Sequence, residues 1–181
     1  MFNSDRQPTT KSERTRAHLR GIALRSFREL GYDATTIRQI AQDAGVSVGA
    51  THYHFASKNQ LVQELYVDVQ ERHREAALPA LSETRDLIER LRAVYGTALD
   101  VLAPYHEHAG EFVSAALSPK SEINPLSSES AAARDLTEGL FADAVAGADH
   151  KLPDDIAETL PAALFLGHLL LALYWVYDTS P

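Results

Sequence analysis

Hydroxyl side chains lead three successive helical patterns in one short stretch: Thr36-Ile-Arg-Gln39, Ser47 ahead of Val48–Tyr53, and Ser57-Lys-Asn-Gln60. A helix start carries unpaired backbone N–H groups and the positive end of the helix dipole, so an exposed one can hold an anion such as phosphate. Lys58, one residue past the third cap, adds a full charge. Gly49 and Ala50 remove bulk beside these donors, and Val48, Ala50 and Thr51 offer small surfaces that could meet thymine methyls. Tyr53 and His54 bring ring donors for phosphate or sugar, and Arg38 could reach a guanine from the preceding pattern. The combined chemistry is that of gripping double-stranded DNA. No nucleophile elbow, phosphate-binding glycine loop or coherent carboxylate pair accompanies it, so no enzyme and no cofactor are expected.

The elements that must position these residues all repeat with a helical period, and no segment alternates as a strand would. Thr10-Lys-Ser-Glu13 is a capping box that opens a first helix, with Ala17, Ile22, Ala23, Phe27 and Leu30 as its apolar stripe and Gly31 as its end. Ile37, Ile40, Ala41 and Ala44 mark a second helix closed by Gly45, and Ser47 caps a third. Residues 35–53 therefore read helix, glycine turn, helix. The same pattern also fits a small helical bundle in which the hydroxyls are only caps and Tyr53 and Phe55 only core. A long helix bearing Leu61, Leu65, Val69 and Ala76 follows, and Pro79 is expected to stop it. Further helices are expected over Thr84–Leu102, Tyr105–Leu117, about Ser130–Gly147 and about Asp154–Tyr177, with a break at Ala103-Pro104 and a loop over Ser118–Ser128. The expected fold is all-α: a flexible tail at 1–9, a three-helix helix-turn-helix domain at 10–56, a linker helix at 57–78 and a helical domain at 79–181.

Taken as an average, the formal charge of −8 in 181 residues argues against a nucleic-acid partner. Its distribution reverses that inference. Residues 1–66 carry nine basic and six acidic side chains, a net +3, whereas 67–181 carry eight and nineteen, a net −11. One end can meet a polyanion while the other stays away from it. No cysteine occurs and the first 20 residues hold no apolar signal region, so a cytoplasmic location is expected. Leu160–Tyr177 is apolar on every side, but Pro161, Gly167 and His168 interrupt it and acidic residues flank it, so a subunit interface is expected in place of a membrane span. Leu164, Leu171 and Trp175 are its candidate contacts.

Gly31-Tyr-Asp-Ala-Thr-Thr-Ile-Arg-Gln-Ile-Ala-Gln-Asp-Ala-Gly-Val-Ser-Val-Gly-Ala-Thr-His-Tyr-His-Phe-Ala-Ser-Lys58 resembles the TetR/AcrR family of bacterial transcriptional regulators. The shared pattern is a glycine, a Thr-Thr pair, I-A-x-x-A-G-V-S-x-G, an aromatic stretch ending in Phe, and S-K. The resemblance implies a homodimer of all-helical subunits that binds a palindromic DNA operator as a repressor and is released by a small-molecule effector. It implies phosphate contacts at Thr36, Lys58 and Tyr53 or His54, and base-facing positions at Val48, Ala50 and Thr51. His52 departs from the tyrosine usual at its position. The ending Asp178-Thr-Ser-Pro181 looks like the cap of a further helix, which suggests a chain shorter than its relatives. A small apolar or aromatic effector would be walled by Tyr66, Tyr95, Leu99, Leu102, Tyr105, His106, Phe112, Phe141 and His168. No metal is expected, because His106 and His108 point apart on a helix. The alternative is a helical small-molecule-binding or protein-interaction module whose helix-turn-helix no longer reads DNA.

Overall fold

The computed structural model describes residues 10–149 and 152–178, so the tail expected at 1–9 and the last three residues lie outside it. Its elements are α1 (Lys11–Ala34), α2 (Ile37–Asp43), α3 (Val48–His54), α4 (Lys58–Glu83), α5 (Leu87–Leu102), a 3-10 segment (Ala103–His108), α6 (Ala109–Ala116), α7 (Ala131–Ala146) and α8 (Asp154–Tyr177). Among the described residues there is no strand.

The helix starts follow the capping hydroxyls, although only the first box closes on both arms. Thr10 and Glu13 satisfy each other's backbone N–H groups. Thr36 accepts from Gln39 N, but the Gln39 side chain turns on to Asp43. Ser57 accepts from Gln60 N, while the Gln60 carboxamide takes the N–H of Ala56, at 2.7 Å. Gly31 bends the end of α1 with φ of 78°, a backbone state that side chains resist, and Gly45 makes the α2–α3 turn with φ of 66°. Buried Thr35 locks the first bend by donating to the Gly31 carbonyl, at 2.7 Å.

Pro79 does not stop α4, which runs on to Glu83. Proline deprives the Glu75 carbonyl of its helical donor, but Glu75 is exposed and water can serve in its place. Ala77 and Leu81, on either side of the ring, are buried against Val94, Leu140 and Phe141, so tertiary packing holds the helix where local preference would end it. Pro79→Ala should therefore raise stability, by about 1–2 kcal/mol in urea unfolding. A loss would mean that the proline sets the seat of Leu81.

Asp86, not Thr84, begins α5, accepting from Glu89 N at 3.0 Å while Thr84 is extended. Pro104 breaks α5 as expected, but the chain tightens into a 3-10 segment and α6 begins only at Ala109, four residues beyond Tyr105. The loop before α7 is tied by Ser121 to Ala115 O and by Asn124 to Ala116 O.

Two cores hold these helices. The first joins Leu19, Phe27, Ile40, Phe55, Leu61 and Leu65 to Tyr105, Ala116 and Ile123, so packing runs without a gap from the first three helices into the second half. The second gathers Ala77, Leu81, Val94, Leu140, Phe141 and Ala144. Despite its length, α8 buries only Phe165 and His168. It is long and apolar enough to cross a membrane, by length and composition alone.

Candidate functional site

Helix α3 stands on its cap: Ser47 Oγ accepts from Ala50 N at 3.1 Å. Its outward face carries Val48, Gly49, His52 and Tyr53, with Tyr53 81% exposed. Ala50 and His54 are half-buried, and His54 meets the Tyr53 ring edge-on at 5.1 Å. Thr51, expected to face bases, does not. It is fully buried and its hydroxyl bonds the Ser47 carbonyl at 3.2 Å, because the fourth position of so short a helix falls on its core side. His52 Nδ1 lies 3.3 Å from the Ala56 carbonyl, which can only accept. The neutral ring then keeps Nε2 as an acceptor, and only the imidazolium could donate to a phosphate.

Thr36 and Arg38 are exposed at the start of α2. Lys58 is turned differently from its expected role as an outward phosphate ligand. Its ammonium donates to the Tyr32 carbonyl at 2.8 Å and lies 3.8 Å from the Tyr32 ring centroid, clamping the start of α4 to the bend at the end of α1. Burial pulls its pKa down, and Asp33 and Glu111 oppose that.

Glu111, on α6, reaches the same bend. Its Oε2 accepts from Asp33 N at 2.7 Å and its Oε1 pairs with His108 Nδ1 at 3.0 Å. The Asp33 N–H holds the carboxyl below its ordinary pKa against partial desolvation, with His108 and the Tyr32 N–H helping. Gly31 leaves room for this contact, since a Cβ there would lie 2.5 Å from Oε2. Phe112, the next residue, packs edge-on against Phe27 at 5.8 Å and Tyr32 at 5.6 Å. The Gly31 signal was visible in sequence; its partner on α6 was not.

Behind Phe112 opens a cavity of about 370 Å³ between α4, α6, α7 and α8. Tyr66, Leu102, Tyr105, Phe112 and His168 line it as expected. Tyr95, Leu99, His106 and Phe141 do not. Phe141 is buried in the second core with Tyr95 against it at 5.2 Å, and the Tyr95 hydroxyl bonds Leu164 O at 3.0 Å. Leu99 is half-buried on α5, and His106 is exposed, packed edge-on against Trp175 at 4.6 Å. Sequence reasoning missed Val69, Phe165 and Trp175 as lining residues.

The sequence places Trp175 instead among expected subunit contacts, with Leu164 and Leu171. Trp175 lines the chain's own cavity and Leu164 packs on the second core, while Leu171, on the same helical stripe, is half-buried and belongs to neither. The opposite stripe, Leu166, Leu170, Tyr174 and Tyr177, is the exposed one.

Comparison with known proteins places this geometry. Residues 22–65 match the family model for bacterial regulatory proteins of the tetR family, and residues 90–181 match the tetracyclin repressor-like C-terminal domain. The transcriptional repressor KstR2 of Mycobacterium tuberculosis is 33% identical over 95 residues, which are 50% of this chain and 46% of that one. The regulator TtgR of Pseudomonas putida is 34% identical over 96 residues, 53% of this chain and 45% of that one. The chain thus spans about half the length of the curated relatives it matches. Among solved structures, the Thermus thermophilus repressor FadR in complex with lauroyl-CoA superposes with a TM-score of 0.62 at 21% identity, covering 88% of this chain and 84% of that one. That likeness concerns the fold.

Proposed function

The chain belongs to the TetR family of bacterial regulatory proteins, and from that premise we propose that it is a cytoplasmic, ligand-responsive transcriptional repressor that binds a palindromic operator as a homodimer. The observation that carries this reading is Phe112, which lines the cavity on one side and touches the rings of Phe27 and Tyr32 in the DNA-binding head on the other. A molecule seated in the cavity presses on a residue already packed against the head. Glu111, beside it, grips the backbone of the same bend, and Lys58 ties that bend to α4. Movement of α6 therefore reorients the helix-turn-helix. Two recognition helices must sit about 34 Å apart on a two-fold site, so an effector that prefers another spacing weakens binding by its differential affinity for the two states. FadR, a fold relative, holds lauroyl-CoA, which supports a small-molecule role for this cavity without fixing its ligand.

The exposed donors at Thr36, Arg38, Ser47 and Tyr53, with half-buried His54, supply backbone grip, and Val48 with Gly49 faces the bases. A net +3 on residues 1–66 is modest, so one subunit binds weakly and two are needed. The stripe Leu166, Leu170, Tyr174 and Tyr177 is the surface offered to the second subunit.

Selection from random duplexes should enrich a palindrome whose binding falls steeply as salt rises. Tyr53→Ala should then weaken all sequences alike, whereas Val48→Ala should relax preference at one position per half-site by roughly 1–3 kcal/mol. A protein that enriches nothing at low salt is a small-molecule-binding module with an idle helix-turn-helix.

A further inference from the structure

One residue of the cavity wall carries a buried nitrogen that no described residue serves. His168 is 5% exposed and lines the cavity, yet it makes no hydrogen bond with any described residue, and its Nδ1 is buried without a partner. The ring cannot swing to find one. It stacks on His73 at 5.6 Å and 11°, and meets the Phe141 ring at 6.3 Å. His73 is itself occupied, with Nε2 donating to the Val94 carbonyl at 2.8 Å. A buried polar group without a partner is penalised, and a ligand that supplies the partner removes the penalty.

We propose that the cavity selects an uncharged, largely apolar molecule bearing one hydroxyl, and that His168 recognises that hydroxyl by a hydrogen bond. The proposal rests on reading the cavity as the effector site. A neutral imidazole offers one donor and one acceptor, and a hydroxyl answers either nitrogen, whereas a ketone needs the N–H. Burial, with His73 alongside, holds the ring neutral down to a pKa of about 4. No acidic residue lines the cavity among the described residues, and its one formal charge, Arg134, has Nη1 donated to the carbonyls of Pro125 and Ser127. A carboxylate beside His168 would be desolvated against a neutral ring, and the one cation of the wall already serves two carbonyls, which disfavours an anion there. Phe112, Phe165, Trp175 and Tyr105 supply the apolar and aromatic wall. The volume, about 370 Å³, is near the small end of the usual ~300–1,000 Å³ range and suits one ring with a short chain.

Trp175 is the single tryptophan and lines the cavity, so its fluorescence reports occupancy in the full chain. The probes are 4-propylphenol, propylbenzene and 4-propylbenzoate. Wild type should bind the phenol about tenfold more tightly than the hydrocarbon, with the benzoate weakest. His168→Phe should erase the preference while still binding the hydrocarbon, and His168→Gln, which keeps a donor and an acceptor, should retain most of it. Equal affinity for phenol and hydrocarbon, tighter binding of the benzoate, or a preference that survives in His168→Phe would overturn the proposal. Operator binding is followed in the same titrations. A phenol bound with the expected preference that leaves the duplex in place upholds the His168 contact and overturns only the effector reading.

Discussion

Arg90→Met is expected to lower stability to urea unfolding by roughly 3–5 kcal/mol, more than any other single change to the second half of the chain. Arg90 is 6% exposed and pairs with no acidic side chain among the described residues. Its guanidinium instead serves backbone carbonyls at two helix ends: Nε to Ala144 at 2.7 Å, Nη2 to Asp143 at 2.9 Å, and Nη1 to Thr84 at 2.7 Å and to Leu81. These carbonyls lie in the last turns of α4 and α7, where the dipole's negative end gathers and few backbone donors remain, Asp143 alone also accepting from Gly147 N at 3.1 Å. One cation therefore neutralises two helix termini and pins α4, α5 and α7 together at the edge of the second core. Gly147 leaves space for it, since a Cβ there would collide with the guanidinium. Methionine fills the volume but donates nothing, so the Leu81, Thr84 and Ala144 carbonyls lose their partner and Asp143 keeps only the Gly147 N–H. Lysine restores the charge without the planar fork and should recover only part of the loss. A drop below about 1 kcal/mol would mean that water enters and serves the carbonyls instead.

What the sequence made legible was whatever is encoded over a few residues. The hydroxyls Thr10, Thr36, Ser47 and Ser57 mark helix starts because capping is local, and each caps in the fold. Pro79 misled because its penalty is also local, whereas the burial of Ala77 and Leu81 that outweighs it depends on α5 and α7. Thr51 misled for a related reason: motif position names a recognition helix, but which side of a seven-residue helix is buried is decided by the core beneath it. In α8 apolar residues occur on every side, so periodicity could not separate the Leu164–His168–Trp175 stripe, which faces inward, from Leu166–Leu170–Tyr174, which faces out. Arg90 and Glu111 were invisible as functional groups. Each acts on backbone atoms far along the chain, and a backbone partner leaves no residue type to recognise.

The contact between Glu111 and the α1 bend yields the second large effect. Glu111→Gln keeps the shape of the side chain but replaces a charged acceptor of the Asp33 N–H with a neutral one and weakens the pairing with His108. If α6 transmits effector binding through this contact, operator affinity without effector should stay within about threefold. The effector's own influence on that affinity, ordinarily five- to 150-fold for a coupling of about 1–3 kcal/mol, should shrink to a few-fold. An unchanged response would assign the coupling to Phe112 and α4 alone. Gly31→Ala attacks the same contact from the other side and does two separate things. It forces a side chain onto a φ of 78°, costing about 1–2 kcal/mol, and it drives a methyl to within 2.5 Å of the Glu111 carboxylate. A double-mutant cycle separates them. In a Glu111→Ala background the collision is gone and only the backbone strain remains, so Gly31→Ala should be milder there by about 1 kcal/mol or more. Additive losses would mean that Glu111 swings aside at no cost, and a carboxylate that yields so readily could not carry a signal between the cavity and the head.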